Sequence, residues 1–422
     1  MTDGGRRVEP LPPMLNLPCR LVNRFGKSVS PWISLDIEDL LGQARRMTGL
    51  TDWGDENFQE PLRVLLASYE RDALLTLYGR WVTRRSLVRK LVNRLRLQRD
   101  FTAHPGILRS SLPPVVMITG LARTGTTLLH RLLAQDPETR TLQRWELYLP
   151  SPPPERATYA HDPRRGVVRR SGRRWERLFM SGEGRRMLEA VHPSSHDAPE
   201  ECWPLLQNAF RSGIFFFFDR VTNYETWLQD QDFDAAYRYY REQLQLLTWK
   251  CTGNLLVLKS PTHLDQLGSL FSVFPDARIL WTHRNPVEGM PSACNLVELC
   301  RRIKSDCVDP EEIGGSLVKS VPRRVGRALA ARDGSLSGQF LDVSLVELVR
   351  EPLGVVRQVY QFLGTTLSED AECRMEAWLK QNHPGPRRTG PPPSLERYGL
   401  SKNSIHGAMA EYMARFSPYL GA

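Results

Sequence analysis

Residues 115–130 read VVMITGLARTGTTLLH, and their order of apolar residues and glycines gives the first indication of the fold. An apolar run ends at Gly120, and after four more residues Gly125 is followed by two threonines that open a second apolar stretch. This is the strand–loop–helix order of a phosphate-binding loop, in which backbone N–H groups and a helix N-terminus point at a phosphate. Nucleoside triphosphatases carry a lysine where this chain has Thr126, so the loop predicts phosphate binding without the residue that serves terminal phosphoryl transfer.

Four short apolar runs, each followed by a helical pattern, indicate an α/β fold with a mostly parallel, P-loop-like sheet and helices on both faces. The runs are VVMI at 115–118, LLVL at 255–258, RILWT at 278–282 and QFLDV at 339–343. Sheets of this kind bind ligands at the carboxyl ends of their strands, so we expect the functional residues in the loops that follow these runs.

Three further segments flank or interrupt the predicted sheet. Residues 1–30 are polar and proline-rich and predict a flexible arm. Residues 31–110 have the apolar spacing of an N-terminal helical extension, with Ser34 as the expected first N-cap. The remaining residues, 111–422, form the predicted α/β domain, and a large insertion at about 145–250 interrupts it. We expect this insertion to be helical and to determine substrate selectivity, because it lies at the ligand end of the sheet.

Composition limits the partners and the compartment. The formal net charge of +10 favours an anionic partner, namely nucleic acid, a membrane surface or a small polyanion. Seven cysteines without a CxxC pair fit a reducing compartment. The first residues lack the apolar core of a signal peptide, and no apolar run approaches the ~20 residues that span a bilayer. We therefore expect a soluble cytoplasmic protein, and the sequence leaves a homo-oligomer open.

A basic segment at 80–99 permits two interpretations. It has the spacing of an amphipathic helix, with an apolar stripe between basic residues. The stripe comprises Val88, Leu91, Val92 and Leu95, and the basic residues are Arg84, Arg85, Arg89, Lys90, Arg94 and Arg96. In the first interpretation the helix packs through its stripe and the charges face water. In the second, the segment makes weak contact with an anionic membrane surface.

The stretch GLARTGTTLLHRLLAQDP, which begins at Gly120, resembles the 5′-phosphosulfate loop of sulfotransferases that use 3′-phosphoadenosine 5′-phosphosulfate (PAPS), in their bacterial-type branch. The resemblance implies transfer of a sulfuryl group from PAPS to a hydroxyl group, without a metal ion. A donor with one 5′-phosphate would explain why Thr126 replaces the lysine. Animal relatives place a lysine where this chain has Arg123, which keeps the charge and adds a bidentate fork. The loop residues that the resemblance assigns to donor binding are Arg123, Thr124, Gly125, Thr126 and Thr127.

A second match follows in the order that the family has. In ARILWTHRNPVEGMPSAC, Arg284 ends a predicted strand and Ser292 follows eight residues later, which is the spacing of the family's 3′-phosphate site. Near the end of the chain, GPRRTG resembles the basic loop that closes on the 3′-phosphate in animal relatives, which makes Arg387 and Arg388 candidates. The alternative for this last pair is a solvated loop.

The catalytic candidates come from two other stretches. LVLKSPTHLDQL resembles the family's middle strand and places Lys259 near the bridging oxygen of the donor, so Lys259 and Arg123 would stabilise the leaving phosphate. For the general base we rank His263 first, because relatives carry a histidine close to that strand end. Glu201, which opens a predicted helix in HPSSHDAPEECWPLL, ranks second. VELVREP resembles the family's YEDLVxDP stretch, except that Leu345 replaces the tyrosine.

The sequence leaves the acceptor and two other functions open. The aromatic part of the insertion suggests a small-molecule or lipid-like hydroxyl acceptor. The alternative enzyme is a P-loop nucleotide or small-molecule kinase, which Thr126 and the lack of a clear Walker-B aspartate oppose. A non-catalytic protein that binds nucleic acid or a membrane fits the charge, but it does not explain why two phosphate motifs recur in order. We therefore expect no nucleic-acid partner.

Overall fold

A computed structural model describes residues 11–26, 32–191, 198–334, 337–382 and 394–421. Its five strands form one sheet in the order β2-β3-β1-β4-β5, and each neighbouring pair is parallel. The strands are β1 Val115–Gly120, β2 Thr139–Arg140, β3 Leu255–Lys259, β4 Arg278–His283 and β5 Phe340–Ser344. The four longer strands coincide with the four predicted runs, whereas β2 is only two residues long and gave no apolar pattern.

Helices make up most of the remaining described chain. In chain order they are α1 Leu17–Phe25, α2 Ile37–Thr48, α3 Gln59–Arg71, α4 Leu77–Ala103, α5 Gly106–Arg109, α6 Thr126–Leu133, α7 Arg144–Tyr148, α8 Pro163–Phe179, α9 Gly182–Val191, α10 Trp203–Gln207, α11 Ile214–Phe218, α12 Thr222–Leu228, α13 Asp234–Thr248, α14 Leu267–Val273, α15 Pro286–Arg302, α16 Pro310–Arg332, α17 Leu345–Arg350, α18 Pro352–Leu363, α19 Glu369–Gln381, α20 Lys402–Ala408 and α21 Ala410–Arg415. Among the described residues, none of these helices combines the length and the apolar character that crossing a bilayer requires.

Strand side chains alternate between two hydrophobic clusters, one on each face of the sheet. Val115 and Met117 pack with the N-terminal helices and the helices of the insertion. Val116 and Ile118 pack with α6, α18 and α19. Helices therefore cover both faces, and the predicted fold class is confirmed.

The insertion between β2 and β3 is helical, as predicted. It contributes α7 to α13, and its aromatic portion forms α11. Tyr224, Tyr237 and Tyr240 of the insertion are fully buried in the cluster that also holds the N-terminal helices. The insertion thus packs on the sheet and the N-terminal region together.

The N-terminal segment differs from the predicted flexible arm. Within residues 11–26, α1 begins after the N-cap Asn16, whose side chain accepts a hydrogen bond from the Cys19 N–H. Met14 and Leu15, just before this helix, are buried. The rest of the predicted arm, residues 1–10 and 27–30, lies outside the described residues.

The helical extension forms, but the N-cap of its first helix lies two residues later than predicted. The N-cap of α2 is Asp36, whose carboxylate accepts from the Asp39 N–H at 3.1 Å. Ser34 instead accepts from the Asp36 N–H at 3.0 Å. The Asp36 carboxylate serves as the N-cap because it also carries the negative charge that a helix N-terminus favours.

The basic segment at 80–99 lies within α4, and several of its cations are buried. Lys90 is 5% exposed and Arg94 is 4% exposed. Arg94 donates to the backbone carbonyl of Asn208 at 3.1 Å. Its guanidinium is therefore bonded to a part of the protein that is distant in sequence, and not to solvent. This burial favours the packing interpretation over contact with a membrane surface. The helix α4 buries some of its basic side chains as well as its apolar stripe.

The topology concentrates loops at one point on the carboxyl edge of the sheet. The chain leaves β1 towards β2 on one side, whereas it leaves β4 towards β5 on the other. Adjacent strands whose connections diverge in this way leave a crevice between them, which is where sheets of this type bind ligands. The loop 121–125 and the start of α15 border this crevice.

Candidate active site

The loop between β1 and α6 depends on two close backbone approaches. Gly120 lies against β4, and a Cβ there would come within 2.5 Å of the Thr282 carbonyl oxygen. Gly125 has a φ of +91°, and a Cβ on it would come within 2.7 Å of Leu345 Cδ1. Both positions therefore require glycine. Leu345 packs on the loop at the position where relatives carry a tyrosine.

The N-terminus of α6 is open towards the loop. Gly125 is its N-cap and has no side chain to accept hydrogen bonds from the first N–H groups of the helix. Thr126 is buried and Thr127 is half-buried. The backbone N–H groups at this end, together with the positive end of the helix dipole, suit an anion.

The Thr124 hydroxyl is bonded within the protein and does not face a ligand. Its Oγ1 donates to the Leu121 carbonyl at 2.7 Å and lies 2.6 Å from Thr282 Oγ1. The side chain is 1% exposed. Thr124 thus fastens the loop to β4, and only its backbone remains for a ligand.

The two predicted phosphate motifs meet across the crevice. Arg123 Nε donates to Ser292 Oγ at 3.1 Å, and Arg284 donates to the Arg123 carbonyl at 3.4 Å. Arg123 has a φ of +72°, which is uncommon for a residue with a side chain and is often found at functional sites. Burial, and then the charge of Arg284, lower the pKa of Arg123. Two cationic side chains in one contact group favour a bound anion.

Lys259 ends β3 beside the loop. It is 1% exposed, and its Nζ donates to Glu201 at 2.7 Å and to Thr127 Oγ1 at 3.3 Å. The Glu201 side chain is 15% exposed, so its carboxylate is partly open to solvent beside the end of β3. A buried ammonium, a loop hydroxyl and a carboxylate thus form one connected group.

The segment that carries Glu201 is attached directly to β3. The backbone N–H of Cys202 donates to the Lys259 carbonyl at 3.0 Å, and the Cys202 thiol lies 3.3 Å from the same oxygen. The Glu200 carboxylate accepts from the Glu201 N–H at 3.0 Å. These bonds fix Glu201 against Lys259.

His263 lies deeper than the crevice. It is in the short 3₁₀ helix Pro261–Gln266 and is 0% exposed. Its ring nitrogens lie 2.9 Å from the Tyr237 hydroxyl and 3.2 Å from the Cys202 thiol. Burial lowers the pKa of His263 to about 3. The ring is therefore neutral near pH 7, and its two nitrogens are occupied by buried partners.

The structure brings together most of the residues that the sequence singled out. Arg123, Arg284 and Ser292 form one contact group, and Lys259 with Thr127 and Glu201 forms a second one on the other side of the loop. The sequence alone did not indicate the contact between Glu201 and Lys259, because the two residues are 58 positions apart. Arg387 and Arg388 lie outside the described residues.

No cluster of three or more His, Cys, Asp or Glu side chains within the described ranges is arranged to hold a metal ion. The metal-free site remains a prediction from the sequence.

Comparison with known proteins adds independent findings. A family model described as the sulfotransferase family matches residues 114–369. Among solved structures, the chain is similar to sulfotransferase STF1 from Mycobacterium tuberculosis H37Rv, with 30% identity, a TM-score of 0.74, and coverage of 89% of this chain and 98% of that one. It is also similar to sulfotransferase STF9 from Mycobacterium avium, with 28% identity, a TM-score of 0.80, and coverage of 91% of this chain and 97% of that one. A search of curated protein sequences found no match.

Proposed function

The chain belongs to the sulfotransferase family, and we propose that it transfers a sulfuryl group from PAPS to a hydroxyl group of a small-molecule or lipid-like acceptor. One observation carries this proposal. The phosphate loop and the arginine–serine pair after β4, which are far apart in sequence, touch through Arg123, Arg284 and Ser292. Two anion-binding elements in direct contact suit a donor with two separate phosphate groups.

The chemistry of these side chains fits such a donor. Arg284 and Ser292 would hold the 3′-phosphate, and Arg123 would lie between this phosphate and the 5′-group. The backbone N–H groups at the start of α6 would bind the 5′-phosphosulfate. Bound PAPS supplies the activated sulfuryl group, and the chain itself supplies positive charge and positioning.

Lys259 is proposed to stabilise the leaving phosphate. Its ammonium is buried at the loop beside Thr127, where a charge is screened little by water. As the acceptor oxygen bonds to sulfur, the bond between sulfur and the bridging phosphate oxygen breaks, and that oxygen receives the electron pair. The ammonium of Lys259 and the guanidinium of Arg123 would face this developing charge.

Glu201, and not His263, is the residue we propose to take the acceptor's proton. The carboxylate is partly exposed and contacts Lys259, which also bonds to Thr127 of the loop helix, at 2.7 Å. The imidazole of His263 has no exposure and is bonded to Tyr237 and Cys202 on both sides. A general base must reach the acceptor hydroxyl directly or through one water, and this requirement favours Glu201. The His263 ring is better suited to support the segment behind the site.

The cytoplasmic location also remains our proposal. The seven cysteines are all unpaired, and five of them are buried. This pattern fits a reducing compartment, in which we expect the PAPS donor to be present.

Isothermal titration calorimetry with adenosine 3′,5′-bisphosphate, the product that PAPS would leave, tests the donor site. We expect binding in excess chelator, and we expect Arg284→Ala to raise the dissociation constant at least tenfold, since a charged hydrogen bond is worth about 1.5–3 kcal/mol. Arg350→Ala, at an exposed arginine of α17, is the matched control and should change nothing. Equal affinity in a folded Arg284→Ala protein would overturn the donor assignment. Turnover of ATP with a strict requirement for Mg²⁺ would support the kinase alternative instead.

A further inference from the structure

A cavity opens beside the phosphate loop, at the crevice between β1 and β4. Its empty volume, including open solvent at its mouth, is about 750 Å³. We term it the loop cavity. Its wall is mostly apolar and comes from the loop and from α11, α15 and α16. The apolar lining residues include Leu121, Phe216, Met290, Val297, Ile313 and Leu317.

Three arginines interrupt this apolar wall, and two of them have carboxylate partners. Arg284, at the loop end, pairs with Glu288 at 3.2 Å. Arg324 pairs with Asp265.

Arg301, near the far end of α15, is different. It is 9% exposed, and its one hydrogen bond within the described residues runs from NH2 to the Phe216 carbonyl at 2.7 Å. Its Nε is buried without a hydrogen-bond partner in the described chain. No carboxylate of the described residues lies within 4.0 Å of its guanidinium.

The acidic residues around Arg301 do not neutralise it directly. Asp219 accepts hydrogen bonds from Lys304 and from Tyr69. Glu312 pairs with Arg220.

Glu225 is the third acidic residue near Arg301. Burial raises the pKa of its carboxyl and the charge of Arg301 lowers it, but the two side chains form no ion pair within 4.0 Å. A buried cation without an ion pair is costly unless another anion completes the site.

We propose that Arg301 binds an anionic group of the acceptor. This inference rests on the proposed function: the accepting hydroxyl would extend from the loop end of the cavity towards Lys259 and Glu201, and a carboxylate, sulfate or phosphate at the far end of the same molecule pairs with Arg301. Gly289 and Arg301 are twelve residues apart on α15, which corresponds to about 18 Å of helix. The acceptor class is therefore an elongated apolar alcohol with an anionic group remote from its hydroxyl.

The test compares acceptors that differ only in the remote group. ω-Hydroxydodecanoate carries a carboxylate there, and dodecanediol carries a second hydroxyl. For the unmodified protein we expect a KM for the carboxylate that is lower than that for the diol. Arg301→Met keeps the packing and removes the charge, so it should raise the KM for ω-hydroxydodecanoate roughly thirtyfold or more and leave that for dodecanediol unchanged. Arg301→Lys should restore part of the preference.

A binding measurement gives a second readout that does not depend on transfer. Dodecanoate lacks the hydroxyl and should bind by calorimetry to the protein with adenosine 3′,5′-bisphosphate present, and Arg301→Met should weaken it by the same factor. Arg71→Met, at an exposed arginine at the end of α3, is the matched control. If Arg301→Met does not fold, the unmodified protein decides, because equal KM values for the two acceptors together with no dodecanoate binding overturn the proposal.

Failure of the proposed function looks different. In that case no acceptor is sulfated and the bisphosphate does not bind. If the bisphosphate binds and the diol and the carboxylate are sulfated with equal KM values, the proposed function stands and the Arg301 site falls.

Discussion

Replacing Glu201 by glutamine separates proton removal from donor binding. We expect Glu201→Gln to reduce kcat for an aliphatic alcohol by about 10²–10⁴-fold, which is the usual contribution of a general base. For an acidic phenol, which loses its proton readily, the reduction should be less than about tenfold. Donor binding should persist, because the substitution removes a negative charge that competes with the donor phosphate for Lys259.

The structure also gives the cost to stability. Glu201 is the ion-pair partner of a lysine that is 1% exposed. Removing one member of a buried pair typically costs about 3–5 kcal/mol. Glutamine retains an oxygen for the hydrogen bond at 2.7 Å, and Glu201 itself is partly exposed. We therefore expect a loss in the free energy of unfolding near the lower end of that range.

The assay measures sulfated product from an alcohol and from an acidic phenol, with bisphosphate calorimetry on the same preparation. Glu376→Gln, at an exposed glutamate of α19, is the matched control, since it makes the same chemical change away from the site. Turnover of the alcohol that survives Glu201→Gln would refute the assignment. Equal losses for both acceptors would do the same, because they would indicate a donor-side role.

Three further outcomes follow from described contacts. Lys259→Met should slow transfer to alcohols and phenols alike, and a loss confined to alcohols would contradict its donor-side role. Gly125→Ala, at a φ of +91° with a Cβ 2.7 Å from Leu345, should destabilise the protein by about 1–3 kcal/mol and weaken bisphosphate binding, as urea unfolding and calorimetry would measure. Burial lowers the pKa of both His130 and His263 to about 3, below the usual value of about 6.5, so the unfolded chain binds more protons between these values. Stability should therefore fall as the pH drops through this window. His263→Gln should remove about 2 kcal/mol of the difference in unfolding free energy between pH 7 and pH 5, and an unchanged difference would contradict this account.

The sequence predicted the sheet well because its signals are local. Each long strand is a short apolar run between turn residues, and the glycine spacing of the loop is needed for its backbone path. The strand β2 was missed because two residues carry no periodicity. The spacing between Arg284 and Ser292 was readable for a similar reason, since both lie on one turn-and-helix unit.

The rest of the site depends on long-range packing. His263 follows the strand that ends at Lys259, but a spacing in sequence does not show that the 3₁₀ helix turns its ring into the core. Glu201 reaches Lys259 only because its segment bonds to the end of β3. Arg301 resembled an ordinary basic residue at a helix C-terminus. The one available signal was its place on the same face of α15 as Ala293 and Val297. This signal can be used only once the elements that pack against that face are known.

The bond between Cys202 and the end of β3 restricts how new acceptor preferences can arise in this family. The insertion is predicted to determine acceptor selectivity, and its backbone bonds to the carbonyl of the lysine that is proposed to serve the donor. An insertion exchanged between two relatives would bring its own partner for that carbonyl, and a mismatch would move the lysine. Acceptor preference and donor chemistry would therefore be coupled, and a chimera should transfer Glu201, Cys202 and Lys259 as one unit.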